Sequence, residues 1–213
     1  MTDKKPPFII DAGPAINFLA SGHEKLLTNA IGKQPIYAPA SVETEVLRKA
    51  GKIKRFKGAT GRWNRMKPGW ITVLSDDSQD PHLLAAAHQF LNAPLSKRLQ
   101  DGDDLGEVMV TLHAYVKAST GEHTFMIMDD RRGRAFAQTA VNLIARQRQA
   151  GRPVGRLQLV SSIDIIERRI NTPDIPDLAT LRRLWADISP MDDGLPNDLD
   201  ETRLPTSKNW QRP

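Results

Sequence analysis

The chemistry of this chain is concentrated in a few acids. Asp11 closes the apolar run Phe8-Ile9-Ile10, and Asp129 and Asp130 close a later one, Phe125 to Met128. Glu45, in Ser41-Val42-Glu43-Thr44-Glu45-Val46, and Glu107, in Asp104-Leu105-Gly106-Glu107, lie in segments that read as helices. In an open parallel sheet, functional groups gather outside the carboxyl ends of the strands. If the strands ending in Asp11 and Asp129 are neighbours, their carboxylates meet at one edge, and the two helical acids can complete the cluster. Clustered carboxylates cannot all stay ionised without a compensating cation. Hard oxygen ligands suit Mg²⁺ or Mn²⁺, which would neutralise the cluster and activate a water against a phosphodiester.

Each acid also has an ordinary reading. An Asp at a strand end serves as a turn or N-cap residue, which fits Asp11. Asp104 with Glu107 has the spacing of a capping box. Glu43 and Glu45 fit a solvated helix face, and Asp130 fits the cap of a helix starting near Arg132. The ordered set says more than any single acid.

The elements that must position these acids follow from periodicity. Phe8–Ile10, Pro35–Ala38, Trp70–Leu74, Phe125–Met128 and Leu157–Val160 read as short buried strands. Helices are expected from Ala15 to Leu27 (broken near Gly22), after Ser41 as N-cap, and from Pro81 to Leu91 with Asp80 as N-cap. Others are expected over Leu105–Ala118, Arg132–Arg148 and Ser162–Ile170. Alternating strands and helices with short connections imply an α/β layer fold with a mainly parallel sheet. After Asp187 the composition turns to Pro, Asp, Asn, Ser and Thr, so residues 187–213 are expected to form a loosely ordered tail behind a domain of residues 1–186.

Composition narrows the function. The 213 residues fit one domain with additions, or at most two small ones, and 39% hydrophobic content supports a core. A net charge of +5 and a pI near 9.6 favour a polyanionic partner. The absence of cysteine excludes disulfides, thiolate metal sites and cysteine nucleophiles. No apolar run is long enough for a signal peptide or a membrane span, so a cytoplasmic protein with no membrane association is expected. The histidines lack metal-ligand spacing, and no glycine-rich phosphate loop or serine-nucleophile motif occurs.

Taken in order, IIDAGPAINFLA, YAPASVETEVLRKA, DLGEVMVTLHAYV and MIMDDRRGRAFA, with the closing LQLVSSIDII, resemble the PIN-domain family of metal-dependent ribonucleases. That family includes the toxins of many bacterial toxin–antitoxin pairs. The resemblance covers roughly residues 8 to 170, and its Gly-Glu helix start and Asp-Asp-Arg strand end are typical of a branch described as predicted nucleic-acid-binding proteins. It implies a three-layer α/β/α sandwich with a mainly parallel central sheet. It further implies Asp11, Glu45, Glu107 and Asp129 as catalytic, metal-holding acids for Mg²⁺ or Mn²⁺, with Asp130 as a neighbouring acid that contacts metal through water. RNA is the implied substrate, a cognate antitoxin the implied protein partner, and a homodimer a common form. Gly13 departs from the pattern, since many members carry Ser or Thr there.

An RNA substrate calls for cations beside the acids. Arg131 and Arg134 follow the Asp pair directly, with a structural ion pair to an acid of the cluster as the rival role for Arg134. Between Gly51 and Gly69 no acid occurs, and Lys54, Arg55, Lys57, Arg62 and Arg65 interleave with Phe56 and Trp63. Such a segment can hold phosphates and stack on unpaired bases, or can be only a solvated loop. The sequence therefore predicts a metal-dependent endoribonuclease. The alternatives are a PIN-fold RNA-binding or scaffolding protein whose site is too weak to cleave, and a phosphoryl-accepting α/β domain.

Overall fold

A computed structural model describes residues 5–67, 69–102, 104–191 and 194–211. Pro68 of the basic segment and residues 192–193 and 212–213 of the tail lie outside them.

A five-stranded, wholly parallel sheet forms the centre, in the order β3 (Ile71–Leu74), β2 (Ile36–Pro39), β1 (Phe8–Ile10), β4 (Thr124–Ile127), β5 (Leu157–Val160). Helices flank it in a three-layer α/β/α sandwich. β1 is buried along its whole length, as a central parallel strand covered on both faces must be.

The helices between β1 and β2 are α1 (Ala12–Ser21) and α2 (Glu24–Ala30). They are separated at Gly22, whose φ of 85° is costly for any residue with a side chain. α3 (Ala40–Lys52) follows β2 and starts earlier than the Ser41 cap predicts. Pro39 takes the N-cap position, and the Ser41 N–H donates instead to Asp76 Oδ2 at 2.7 Å, from the loop after β3. α5 (Pro81–Phe90) begins as expected, its Asp80 carboxylate accepting from the His82 and Leu83 amides. α6 (Leu95–Asp101), which the sequence reading leaves unassigned, precedes α7 (Leu105–Ser119), and Leu83, Leu95, Met109 and Leu112 form a second small core there. α8 (Arg131–Gln149) follows β4, and α9 (Ser162–Glu167) follows β5 behind a Ser161–Asp164 capping box.

The basic segment is part of the fold rather than a solvated loop. Residues 54–56 form a 3₁₀ turn and Lys57–Met66 form α4, packed against α1 and α3. Its apolar positions Phe56, Ala59, Trp63 and Met66 recur at helical spacing and are buried. The expected loose tail is likewise corrected. α10 (Leu178–Ile188) extends the chain, and beyond it Leu195, Leu199 and Leu204 are buried. Arg203 pairs with Asp164 and Glu167 on α9, Ser207 donates to Glu167 at 2.8 Å, and the Trp210 indole donates to the Leu204 carbonyl. These buried leucines and charge-assisted bonds outweigh the polar composition that predicts disorder. Among the described residues no helix is long and apolar enough to cross a membrane.

Candidate functional site

β1 and β4 are neighbours, with Ile10 opposite Ile127 in the parallel register. The ladder runs one residue further on each strand: the Asp11 N–H donates to the Ile127 carbonyl (2.9 Å), and the Met128 N–H to that of Val160 (2.9 Å). Asp11 and Asp129 therefore emerge together at the carboxyl edge of the sheet. Both are buried. Asp11 occupies the N-cap position of α1, and its side chain makes no capping hydrogen bond.

Asp129 is held from two elements. Its Oδ1 accepts from the Ser162 N–H at 2.7 Å, and its Oδ2 accepts from the Ser162 hydroxyl at 2.5 Å and from Asn17 Nδ2 at 3.1 Å. Such charge-assisted bonds offset the cost of burying a carboxylate and fix its orientation. Asn17 lies on α1 and Ser162 opens α9. The sequence reading does not single out Ser162. Its signal is position, because Ser161-Ser162 follows β5 at the edge where Asp129 follows β4.

Gly106, on the first turn of α7, brings the other acids in. A Cβ on that glycine would lie 3.0 Å from Asp11 Oδ1 and 3.2 Å from Glu45 Oε2. Both carboxylates thus border one gap that a hydrogen side chain leaves open. The other oxygen of Glu45 pairs with Lys49 Nζ at 2.8 Å, one turn along α3. Glu107 packs across the start of α8, where a Cβ on Gly133 would collide with its Cγ at 2.5 Å. Burial pushes the Glu107 carboxyl above the usual carboxylate range. A bond from its own backbone amide opposes this, and the negative charges of Asp104, Glu45 and Asp130 add to it. The capping box predicted for Asp104 and Glu107 is incomplete: Asp104 has a left-handed φ of 51° and its side chain makes no cap bond.

The neighbouring residues take distinct places. Asp130 caps α8 by accepting from the Gly133 N–H at 2.8 Å. Arg134 Nη1 donates to the Met128 carbonyl at 2.7 Å, so its guanidinium clamps the end of β4 rather than a carboxylate. Arg131 is exposed beside the Asp pair.

In the basic segment Lys54, Arg55, Lys57 and Arg65 are exposed, whereas Arg62 donates to the Leu19 carbonyl and pairs with Glu24 at 3.4 Å. The stacking role expected for Trp63 is not available to it. Its ring is wholly buried, and its indole N–H donates to Glu43 Oε1 at 3.0 Å. The segment packs at the far end of α1, where the Arg62 guanidinium reaches the Leu19 and Ala20 carbonyls. At about 1.5 Å per helical residue, this is about 13 Å from Asp11.

Among the described residues no group of three or more His, Asp or Glu side chains converges closely enough to hold a metal ion as it stands. The parts present are nonetheless those a hard divalent cation takes: carboxylate oxygens alone, a glycine gap bordered by two of them, and a third acid crowded by negative charge. Mg²⁺ and Mn²⁺ are ions that take such oxygen donors.

Comparison with protein-family models, curated proteins and solved structures finds no match to this chain. The functional reading therefore rests on the geometry and on the resemblance in sequence.

Proposed function

We propose that this protein is a divalent-metal-dependent endoribonuclease of the PIN type. The observation that carries the reading is the Gly106 gap, bordered by Asp11 Oδ1 and Glu45 Oε2 at the carboxyl edge of a parallel sheet. Asp11 and Glu45 would hold the ion, and Glu107, whose carboxyl pKa is raised first by burial and further by neighbouring acids, would complete the set, since a cation would offset both. Asp129, aimed by Ser162 and Asn17, fixes the other side of the edge. When bound, Mg²⁺ or Mn²⁺ supplies an activated water and charge neutralisation at the scissile phosphate. The exposed Arg131 attracts the flanking phosphates, and Lys54, Arg55, Lys57 and Arg65 extend the positive field further along the strand. In the toxin–antitoxin setting that the resemblance implies, the protein partner is a cognate antitoxin.

A second reading, an RNA-binding protein that does not cleave, draws on Asp129 and Glu45. Their carboxylates already have protein partners in Ser162, Asn17 and Lys49, and Gly13 supplies no hydroxyl to the edge.

Incubating mixed RNAs with the purified protein and Mn²⁺ or Mg²⁺, beside an Asp11→Asn variant, separates the two. Cleavage that needs metal and is lost in the variant supports the nuclease. RNA binding without cleavage supports the second reading.

A further inference from the structure

Glu107 borders more than the acid edge. A cavity of about 300 Å³ opens between the start of α8, the start of α7 and the α5–α6 connection, and Glu107 and Gly133 form the wall it shares with that edge. Its other walls divide by chemistry. Leu91, Val108 and the half-buried Phe136 are apolar, while Arg98 and Arg132 supply positive charge beside the Asp104 carboxylate. Arg132 is 85% exposed and only loosely paired with Asp104, at 3.8 Å, a contact that a ligand displaces at little cost. The volume is at the lower limit of small-ligand sites, about 300–1,000 Å³, which suits one ring system and its substituents rather than an oligomer.

Apolar walls with an aromatic ring, cations at the rim and a shared border with a phosphodiester-cleaving edge select one ligand chemistry: a flat heterocycle carrying a phosphate. We infer that this cavity is a base-binding subsite, in which Phe136 stacks on the unpaired base of a nucleotide beside the scissile phosphate and Arg132 meets its phosphate. The assignment rests on the nuclease reading for the identity of the chain that enters, but it concerns different residues. It makes Phe136 and Arg132 determinants of single-strand selectivity, because a base inside a duplex cannot enter. None of the cations in the basic segment contributes to it, since that segment packs at the other end of α1.

The test is metal-free binding, in EDTA, of adenosine monophosphate and of ribose 5-phosphate to the full chain, followed by NMR or calorimetry. The wild type is expected to bind the nucleotide about tenfold or more tightly than the sugar phosphate, the range of one base–aromatic stack. Phe136→Leu keeps the apolar packing and should erase that preference. Arg132→Ala should weaken both ligands alike. A saturating single-stranded trinucleotide should displace the mononucleotide. Equal binding of the two probes, no binding of either, a preference unchanged in Phe136→Leu, or failure of the trinucleotide to compete overturns the inference. RNA cleavage measured on the same preparations with Mn²⁺ reports separately on the nuclease. Base-selective binding through Phe136 without cleavage sinks the nuclease alone, and cleavage without base preference sinks the subsite alone.

Discussion

Gly106 stands between Asp11 and Glu45: a single methyl group added there would lie 3.0 Å from one carboxylate and 3.2 Å from the other. A glycine on the first turn of a helix weakens the helix by up to about 1 kcal/mol relative to alanine. Here the helix is weaker but the gap is open.

Gly106→Ala therefore separates stability from function. Alanine favours the helix and its Cβ needs a shift of only a few tenths of an ångström, so the melting temperature should stay near that of the wild type. Metal-dependent RNA cleavage should fall by about tenfold or more, the scale of disturbing a supporting group at a metal site. Unaltered cleavage, measured under single turnover, would show that the gap has no part in the chemistry.

Glu107 predicts a pH effect of definite sign. Its folded-state carboxyl titrates above the ordinary value, raised first by burial and further by Asp104, Glu45 and Asp130. Between the unfolded and folded pKa values the native state binds more protons, so stability falls as pH rises through that window. The penalty is full above the folded pKa and absent below the unfolded one. Glu107→Gln should accordingly be more stable than the wild type at neutral pH, with the gap closing as pH falls into the ordinary carboxylate range. Added Mn²⁺ should narrow the same gap by stabilising the wild type. Urea titrations across pH check both, and a variant less stable than the wild type at neutral pH contradicts the proposed burial of charge at Glu107.

Ser162 is predicted to matter through Asp129. Ser162→Ala removes the hydroxyl bond to Oδ2 and leaves the backbone bond to Oδ1. A hydrogen bond to a charged group contributes about 1.5–3 kcal/mol, so denaturant unfolding should show a loss of that order. No change would mean that Asp129 keeps its place without the Ser162 hydroxyl.

The basic segment divides into cations that are exposed and a ring that is not. Replacing Lys54, Arg55, Lys57 and Arg65 by alanine should weaken RNA binding at low salt and flatten the log–log salt dependence by about 0.7 for each phosphate that is no longer neutralised. Trp63→Phe should leave RNA affinity alone and cost about 1 kcal/mol of stability, because the indole bond to Glu43 is removed. Filter binding over a salt series distinguishes them, and weakened binding in the Trp63 variant would reverse the assignment.

The convergence of Asp11 and Asp129 is legible in the sequence because apolar runs ending in Asp, alternating with helices, leave few topologies, and β1 and β4 are neighbours in the parallel sheet that results. Trp63 shows where such reading fails. An aromatic ring among cations has the same local pattern whether it faces a base or the core, and the spacing of Phe56, Ala59, Trp63 and Met66, which marks a buried helix face, is obscured by the charges between them. The tail fails for another reason. Leu195, Leu199 and Leu204 are too sparse to form a period, and the attachment of Arg203 to Asp164 and Glu167 is long-range. Gly106 is a weak helix former by sequence, and only the fold reveals the two carboxylates it faces.

The proposed chemistry depends most on the acids Asp11 and Glu45 holding a divalent ion. Titration of Mn²⁺ into the wild type, Asp11→Asn and Glu45→Gln, followed by electron paramagnetic resonance, tests this without any assumption about the RNA. The predicted result is a bound Mn²⁺ in the wild type whose affinity falls by about tenfold or more in each variant, the scale of losing a supporting group at a metal site. Mn²⁺ affinity that is unchanged in both variants, or no bound Mn²⁺ in the wild type, contradicts it.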